Sequence, residues 1–260
     1  MAPRRLSPSL GESSCDVIHI GESQSQPATS NSARSEIRLF LELAIPTTLL
    51  NLGFTISPLL TASYVGRTFG SEYLSGFTLA NLTGNLCAFS LLAGLFSASD
   101  TLSPQAFGAG DYKEVGLIAM RGVFFSMLLL IPINIVLVYF LESTLIAVGE
   151  DPEAASYAFQ WYRIFALSLP FFVVYNAIWK FLSAQHVMRP LIIVSLISCG
   201  IILPVALEFF TDKFGFIGSA FAYVCFQASA TILLILYLWW KRPHVASTWP
   251  GLRCWRDALK

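Results

Sequence analysis

Residues Val115–Leu141 read VGLIAMRGVFFSMLLLIPINIVLVYFL, with one charged side chain, Arg121, near the start. From Gly122 onward the run carries no charged side chain, and the whole stretch exceeds the roughly 20 residues that carry a helix across a hydrocarbon layer. Working outward, five more stretches share the pattern: Leu39–Val65, Phe77–Ser99, Ala158–Phe181, Pro190–Phe209 and Gly215–Trp240. Backbone groups in lipid must be satisfied within the segment or around a closed barrel. Apolar runs this long and continuous are unlike the short alternating strands of a membrane barrel. The sequence therefore predicts an all-α polytopic membrane protein, a six-transmembrane-helix bundle.

Composition agrees. Hydrophobic residues make up 55% of the 260-residue chain and charged residues 12%, about half the share usual in soluble domains. A net charge of zero leaves no electrostatic footprint for nucleic acid. Cys15, Cys87, Cys199, Cys225 and Cys254 show no paired spacing, so neither a disulfide framework, a metal centre nor a cofactor is expected. Enzyme motifs such as G-x-S-x-G or H-E-x-x-H do not occur.

Three regions follow. Residues 1–38 are rich in Ser and Pro and read as a disordered cytoplasmic tail without the apolar core of a signal peptide. Residues 39–241 hold the six spans, and residues 242–260 read as the start of a cytoplasmic linker. Orientation rests on basic residues in the flanks. Arg4, Arg5, Arg34, Arg38, Lys113, Arg121, Lys180, Arg189, Lys241 and Arg242 fall on the side of the N-terminus, against Arg67 and Lys213 opposite. Both termini are expected in the cytoplasm.

Polar residues inside the spans are few. Glu42, Asp100, Arg163 and Glu208 lie toward span ends, and the span centres hold no Asp, Glu, His or Lys. Thr78, Asn81 and Asn85 recur at helical spacing on one face of the second span, a pattern that points to a cavity or a neighbouring helix. Asn134 and Asn176 stand alone and read as packing residues. Gly94/Ala98 and Gly218/Ala222 are pairs that would let helices approach closely. Pro46 and Pro58 on one span make it the expected bent, mobile element.

The run Gly94-Leu95-Phe96-Ser97-Ala98-Ser99-Asp100-Thr101-Leu102, continuing Pro104-Gln105-Ala106-Phe107-Gly108-Ala109-Gly110, resembles the signature that closes span two in multidrug and toxic compound extrusion (MATE) transporters. Ile45-Pro46, Val65-Gly66-Arg67, Gly149-Glu150-Asp151-Pro152-Glu153, Phe181-Leu182-Ser183-Ala184-Gln185, Gly218-Ser219-Ala220-Phe221-Ala222 and Thr248-Trp249-Pro250-Gly251-Leu252 are similar to further family segments, in order. The resemblance covers about residues 37–260 and is eukaryotic-like. It implies the N-terminal lobe of a twelve-helix antiporter that exports organic cations and amphiphiles against H⁺ or Na⁺, with a C-terminal lobe missing from this chain. The membrane is the plasma membrane or a vacuolar or vesicular one.

The resemblance also assigns residues. Asn85 matches a span-two Asn facing the central cavity, with Thr61, Asn81 and Thr78 expected beside it. Pro46, Asp100, Thr101, Gln105 and Gly108 carry over as signature positions of structural role, Asp100 and Gln105 ordering the loop after span two. Thr61 stands where many prokaryotic members place a coupling Asp, and eukaryotic members place their essential Glu in span seven. Half a cavity and no central carboxylate imply that this chain alone is not transport-competent. Two alternatives stand beside this reading: a lipid-linked oligosaccharide flippase of the same distant fold, against which the Gly94–Gly110 signature argues, and a non-transporting regulatory or scaffold half.

Overall fold

The computed structural model describes residues 30–241, and the side chains of α1 only in part before Asn51. The chain divides into residues 1–41 and 42–260, and the packing described below is that of the second unit. Every described element is helical: α1 (Ser30–Thr68), α2 (Ser71–Gly84), α3 (Ser90–Gly108), α4 (Tyr112–Val148), α5 (Pro152–Phe165), α6 (Ser168–Ala184), α7 (Arg189–Ile197), α8 (Leu203–Phe214) and α9 (Phe216–Lys241). Two single π-helical turns, Asn85–Phe89 and Ser198–Ile202, join α2 to α3 and α7 to α8 into long rods. Helix α1 begins within the stretch expected to be a disordered tail, where Ala33, Arg34, Glu36 and Arg38 are good helix formers. Residues 1–29 and the expected linker at 242–260 lie outside the described residues.

Four rods are long and apolar enough to cross a membrane: Ser71–Gly108, Tyr112–Val148, Arg189–Phe214 and Phe216–Trp240. The bent pair α5–α6 makes a fifth. The expected first span lies within α1, part of which falls outside the described side chains. Connections are short and locally encoded. Gly149 ends α4 at φ 100°, a left-handed position favouring glycine, so that its N–H and that of Glu150 reach the carbonyls of Ile146 and Leu145 at 3.0 and 3.1 Å. Two residues on, the Asp151 carboxylate accepts from the Ala154 N–H at 3.2 Å with Pro152 at the first helical position, a start signal for α5.

A sharp bend appears where the sequence suggested none. Helix α1 runs unbroken through Pro58, because the carbonyl four residues back, on Phe54, takes the Ser57 hydroxyl at 2.9 Å in place of the missing N–H. Pro46 is outside the described side chains. The sharp break comes between α5 and α6, bent by 53°. Pro170 there removes the donor for the Ala166 carbonyl, and the chain turns at Ala166–Leu167.

The core is aromatic and centred on α5. Trp161, Tyr162 and Phe165 are fully buried, with Phe77, Phe89, Phe165 and Tyr223 rings edge-on or stacked around them. Trp161 Nε1 donates to Ser219 Oγ of α9 at 3.0 Å. Glycines permit the approach of α2 to α5: a Cβ on Gly76 would stand 3.2 Å from the Ala154 carbonyl oxygen, and one on Gly84 3.0 Å from Phe165 Cε1. Of the two small-residue pairs, Gly218/Ala222 is buried and packs on the Phe210 backbone, whereas Gly94 and Ala98 are exposed and Gly94 has open space before it.

Candidate functional site

The polar stripe in the second span sits at the junction of α2 with its π-turn. Gly76, Phe77, Ala80, Gly84 and Ala88 form the buried side of this rod, against α5. Thr78 and Asn85 lie on the other side and are exposed, with Asn81 half-buried. The stripe is therefore on the open face of the bundle. A lone amide on such a face would rotate freely, but here two are joined. Asn85 Nδ2 donates to the Asn81 carbonyl at 2.8 Å and lies 3.4 Å from Asn81 Oδ1. Thr78 Oγ1 closes onto the Leu74 carbonyl at 2.8 Å.

The π-turn changes what lies beyond. One extra residue in the ladder advances the following side chains by about 100° around the axis. The Asn85 carbonyl takes both the Ser90 backbone N–H and the Ser90 hydroxyl, the latter at 2.9 Å, across the widened turn. Asn85 is thus the pivot residue, with its side chain on the preceding turn and its carbonyl on the following one. The groups offered are neutral amides and hydroxyls, able to hydrogen-bond a passing solute without changing charge.

Thr61 comes from a different helix, α1. It lies with Ser57 and Val65 on the buried side of α1, at 0% exposure, and its hydroxyl bonds the Ser57 carbonyl at 3.0 Å. Ser57 in turn faces Tyr223 of α9. The structure brings Asn81 and Asn85 together and leaves Thr61 in the interior of the bundle.

The signature residues cluster at the far end of α3. Asp100 holds Lys180 of α6, whose Nζ lies 2.7 Å from each carboxylate oxygen and 5.1 Å from the centre of the Trp179 ring. Asp100 therefore joins α3 to α6. The loop after α3 is closed by its own backbone: Ala109, Gly110 and Asp111 N–H groups bond the carbonyls of Gln105, Phe107 and Ala106 at 2.9, 3.1 and 3.0 Å. Asp111 then caps α4 through the Glu114 N–H at 3.3 Å. Gln105 contributes its carbonyl, with an exposed side chain; Thr101 bonds the Ala98 carbonyl at 3.0 Å, and Gly108 is exposed with open space before it.

Sequence reasoning treated Asn134 as an isolated packing residue, and its partners are specific. Its Nδ2 donates to the Ala166 carbonyl at 3.3 Å, and its Oδ1 lies 3.4 Å from the Tyr162 hydroxyl. The signal was Pro170, which leaves the carbonyl four residues before it in need of a donor. Asn176 bonds the Phe172 carbonyl at 2.9 Å within its own helix, as a packing residue does. Among the described residues no cluster of His, Cys, Asp or Glu could hold a metal ion.

These helices and their apolar faces define an integral, multi-pass, all-helical membrane protein. Residues 46–207 match the family model MatE, and the chain belongs to that family. It is 30% identical to multidrug and toxin extrusion protein 2 of Mus musculus over 225 residues, covering 86% of this chain and 39% of that protein. Identity to multidrug and toxin extrusion protein 1 of Danio rerio is 32% over 230 residues, covering 87% and 38%. An uncharacterised transporter of Schizosaccharomyces pombe is 29% identical over 252 residues, covering 94% and 45%. The fold matches the crystal structure of the eukaryotic MATE transporter AtDTX14 with a TM-score of 0.78 at 22% identity, over 87% of this chain and 51% of that one. A MATE structure in a bent conformation gives a TM-score of 0.74 at 20% identity, covering 84% and 49%. The chain spans 38–45% of the length of these curated relatives.

Proposed function

We infer that this chain is the N-terminal lobe of a secondary antiporter that exports organic cations and related amphiphiles in exchange for H⁺ or Na⁺, both termini facing the cytoplasm. The observation that carries the reading is the bonded Asn81–Asn85 pair on the open face of the bundle, at a π-turn. Membership of the MatE family and the names of the mammalian and fish relatives support it. In this reading the open face borders a cleft shared with a second six-helix lobe, and the substrate lies between them. Asn85 and Asn81 offer hydrogen bonds to the substrate, while Thr78 extends the polar strip two turns along the same face.

Coupling is assigned outside this lobe. The centres of the described spans hold no Asp, Glu, Lys or His, and Thr61 supplies only a hydroxyl already bonded to its own helix. Neutral oxygens do not offset the dehydration of an ion in a low-dielectric interior. The same feature favours a second reading, a non-transporting half that regulates a partner. Reconstitution separates the two. A two-lobe protein carrying this sequence, in liposomes with an imposed pH or Na⁺ gradient, is expected to move a fluorescent organic cation, and the 260-residue chain by itself is not. Gradient-driven transport by the isolated chain would defeat the assignment of coupling. Failure of the two-lobe protein under either gradient would favour the regulatory half.

A further inference from the structure

The break between α5 and α6 is held from outside its own rod, and the holding residue connects to the Asn85 turn. Pro170 leaves the Ala166 carbonyl without its helical donor. Two groups replace it: the Leu169 N–H at 3.3 Å and Asn134 Nδ2, from α4, at 3.3 Å. Asn134 Oδ1 faces the Tyr162 hydroxyl one turn earlier, so both ends of the amide hold the bent segment. The neighbouring Phe165 carbonyl is taken by the Ser168 hydroxyl at 2.7 Å.

The bent segment is the bed on which the π-turn rests. Phe165 is fully buried and lies under Gly84, the residue before the turn. Phe89, the last residue of the turn, packs edge-on to Phe165 at 5.9 Å and against Phe172 of α6 at 4.4 Å. Phe89 thus touches both arms of the bend, and the angle between them fixes where it sits. Tyr162 also lies against the residue before the turn: a Cβ on Gly84 would stand 3.7 Å from its Cε2. A change in the α5–α6 angle moves the two Phe89 contacts relative to each other, and Asn85 stands at the other end of that single turn.

We propose that Asn134 is a positioning residue for substrate recognition: by holding the 53° bend between α5 and α6, it sets the π-turn that aims Asn85 from the open face. The part concerning recognition rests on the transport reading above; the part concerning the turn does not. Asn134 touches no substrate and acts through the Ala166 carbonyl, Tyr162, Phe165 and Phe89.

The test reads the turn through Cys87, which is a free, half-buried thiol. In the 260-residue chain in nanodiscs, Cys15, Cys199, Cys225 and Cys254 are replaced by alanine and the maleimide labelling rate of Cys87 is measured. Asn134→Ala is expected to change that rate by about fivefold or more, the equivalent of one ordinary hydrogen bond. Tyr162→Phe, which loses only one arm and keeps the ring, is expected to move it the same way by a smaller factor and carries the test if Asn134→Ala does not fold. The control is Leu130→Ala, one turn earlier on α4 and 4% exposed, which loosens the same core and leaves both hydrogen bonds of Asn134 in place. Leu130→Ala is expected to lower thermal stability and leave the Cys87 rate within about twofold, because its cost is a cavity. An unchanged rate in Asn134→Ala, or an equal change in Leu130→Ala, would overturn the proposal. In the two-lobe protein, Asn134→Ala is expected to raise KM for an organic cation with little change in turnover. A wild-type protein that moves no cation would sink the transport reading while the labelling result still decides the role of Asn134 in the turn.

Discussion

The link between α5 and α9 at Trp161 and Ser219 gives a quantitative test of the core. The indole N–H donates to Ser219 Oγ at 3.0 Å, and the single hydroxyl hydrogen of Ser219 is spent on the Phe216 carbonyl at 2.7 Å. Both residues are at 0% exposure, so no water can substitute. Ser219→Ala strands a buried indole donor, which costs about 1–3 kcal/mol. Interhelical bonds in membranes average nearer 0.6 kcal/mol because the separated helices also find partners, so about 1.5 kcal/mol is the expected value at this dry site. Trp161→Phe removes the donor; Ser219 then keeps its own bond, and a further Ser219→Ala costs about 0.5 kcal/mol or less, since the Phe216 carbonyl keeps its helical partner. A double-mutant cycle should therefore show a coupling of about 1 kcal/mol. The assay is reversible unfolding of the purified chain in mixed micelles, followed by far-ultraviolet circular dichroism, a signal independent of the tryptophan removed. Equal costs of Ser219→Ala in the two backgrounds would refute the reasoning, and with it the bond as a link between these helices.

Three further outcomes are expected. Gly84→Ala should destabilise the chain by about 1 kcal/mol or more because its new methyl meets Phe165 at 3.0 Å, while Gly94→Ala should be neutral or stabilising by up to about 1 kcal/mol in the same assay. Lys180→Gln or Asp100→Asn should each cost under about 1 kcal/mol, because the Asp100 side chain is 51% exposed, and the exchanged pair Asp100→Lys with Lys180→Asp should recover the loss at low salt. Single cysteines introduced at Lys113 and Glu150 should be labelled from opposite sides of the membrane; labelling from one side would reject the topology read from the basic residues.

How much of this was legible depended on the range of the interaction concerned. The rods followed from apolar length, because lipid leaves the backbone one solution; the starts at Asp111 and Asp151, a few residues before the apolar runs, came with the structure, although their cap chemistry is local. The Asn81–Asn85 pair was legible because both residues belong to one helix at i, i+4. What failed to show depended on distant partners. Pro58 and Pro170 look alike in sequence, yet one leaves its helix unbroken and the other breaks it; the difference is Ser57 beside one and Ala166 plus a donor from α4 at the other. The π-turns left no compositional mark, since an extra residue in the ladder is a property of registry against neighbouring helices. Thr61 was expected near Asn85 through the family resemblance alone; its burial with Ser57 and Val65 on one side of α1 follows from the helical period.

The central claim is that the exposed face carrying Asn85 borders a wet cleft that organic cations enter. It is tested most directly with Asn85→Cys in a two-lobe protein carrying this lobe, with the native cysteines replaced by alanine. The measurement is the labelling rate with a membrane-impermeant, water-soluble thiol reagent, with and without a saturating quaternary ammonium compound. The account predicts labelling from water and a fall of about tenfold or more when the cation is bound, the change expected if the site is occupied nine-tenths of the time or better. A thiol at position 85 that reacts only with lipid-soluble reagents, or one whose labelling is indifferent to the cation, would contradict the account.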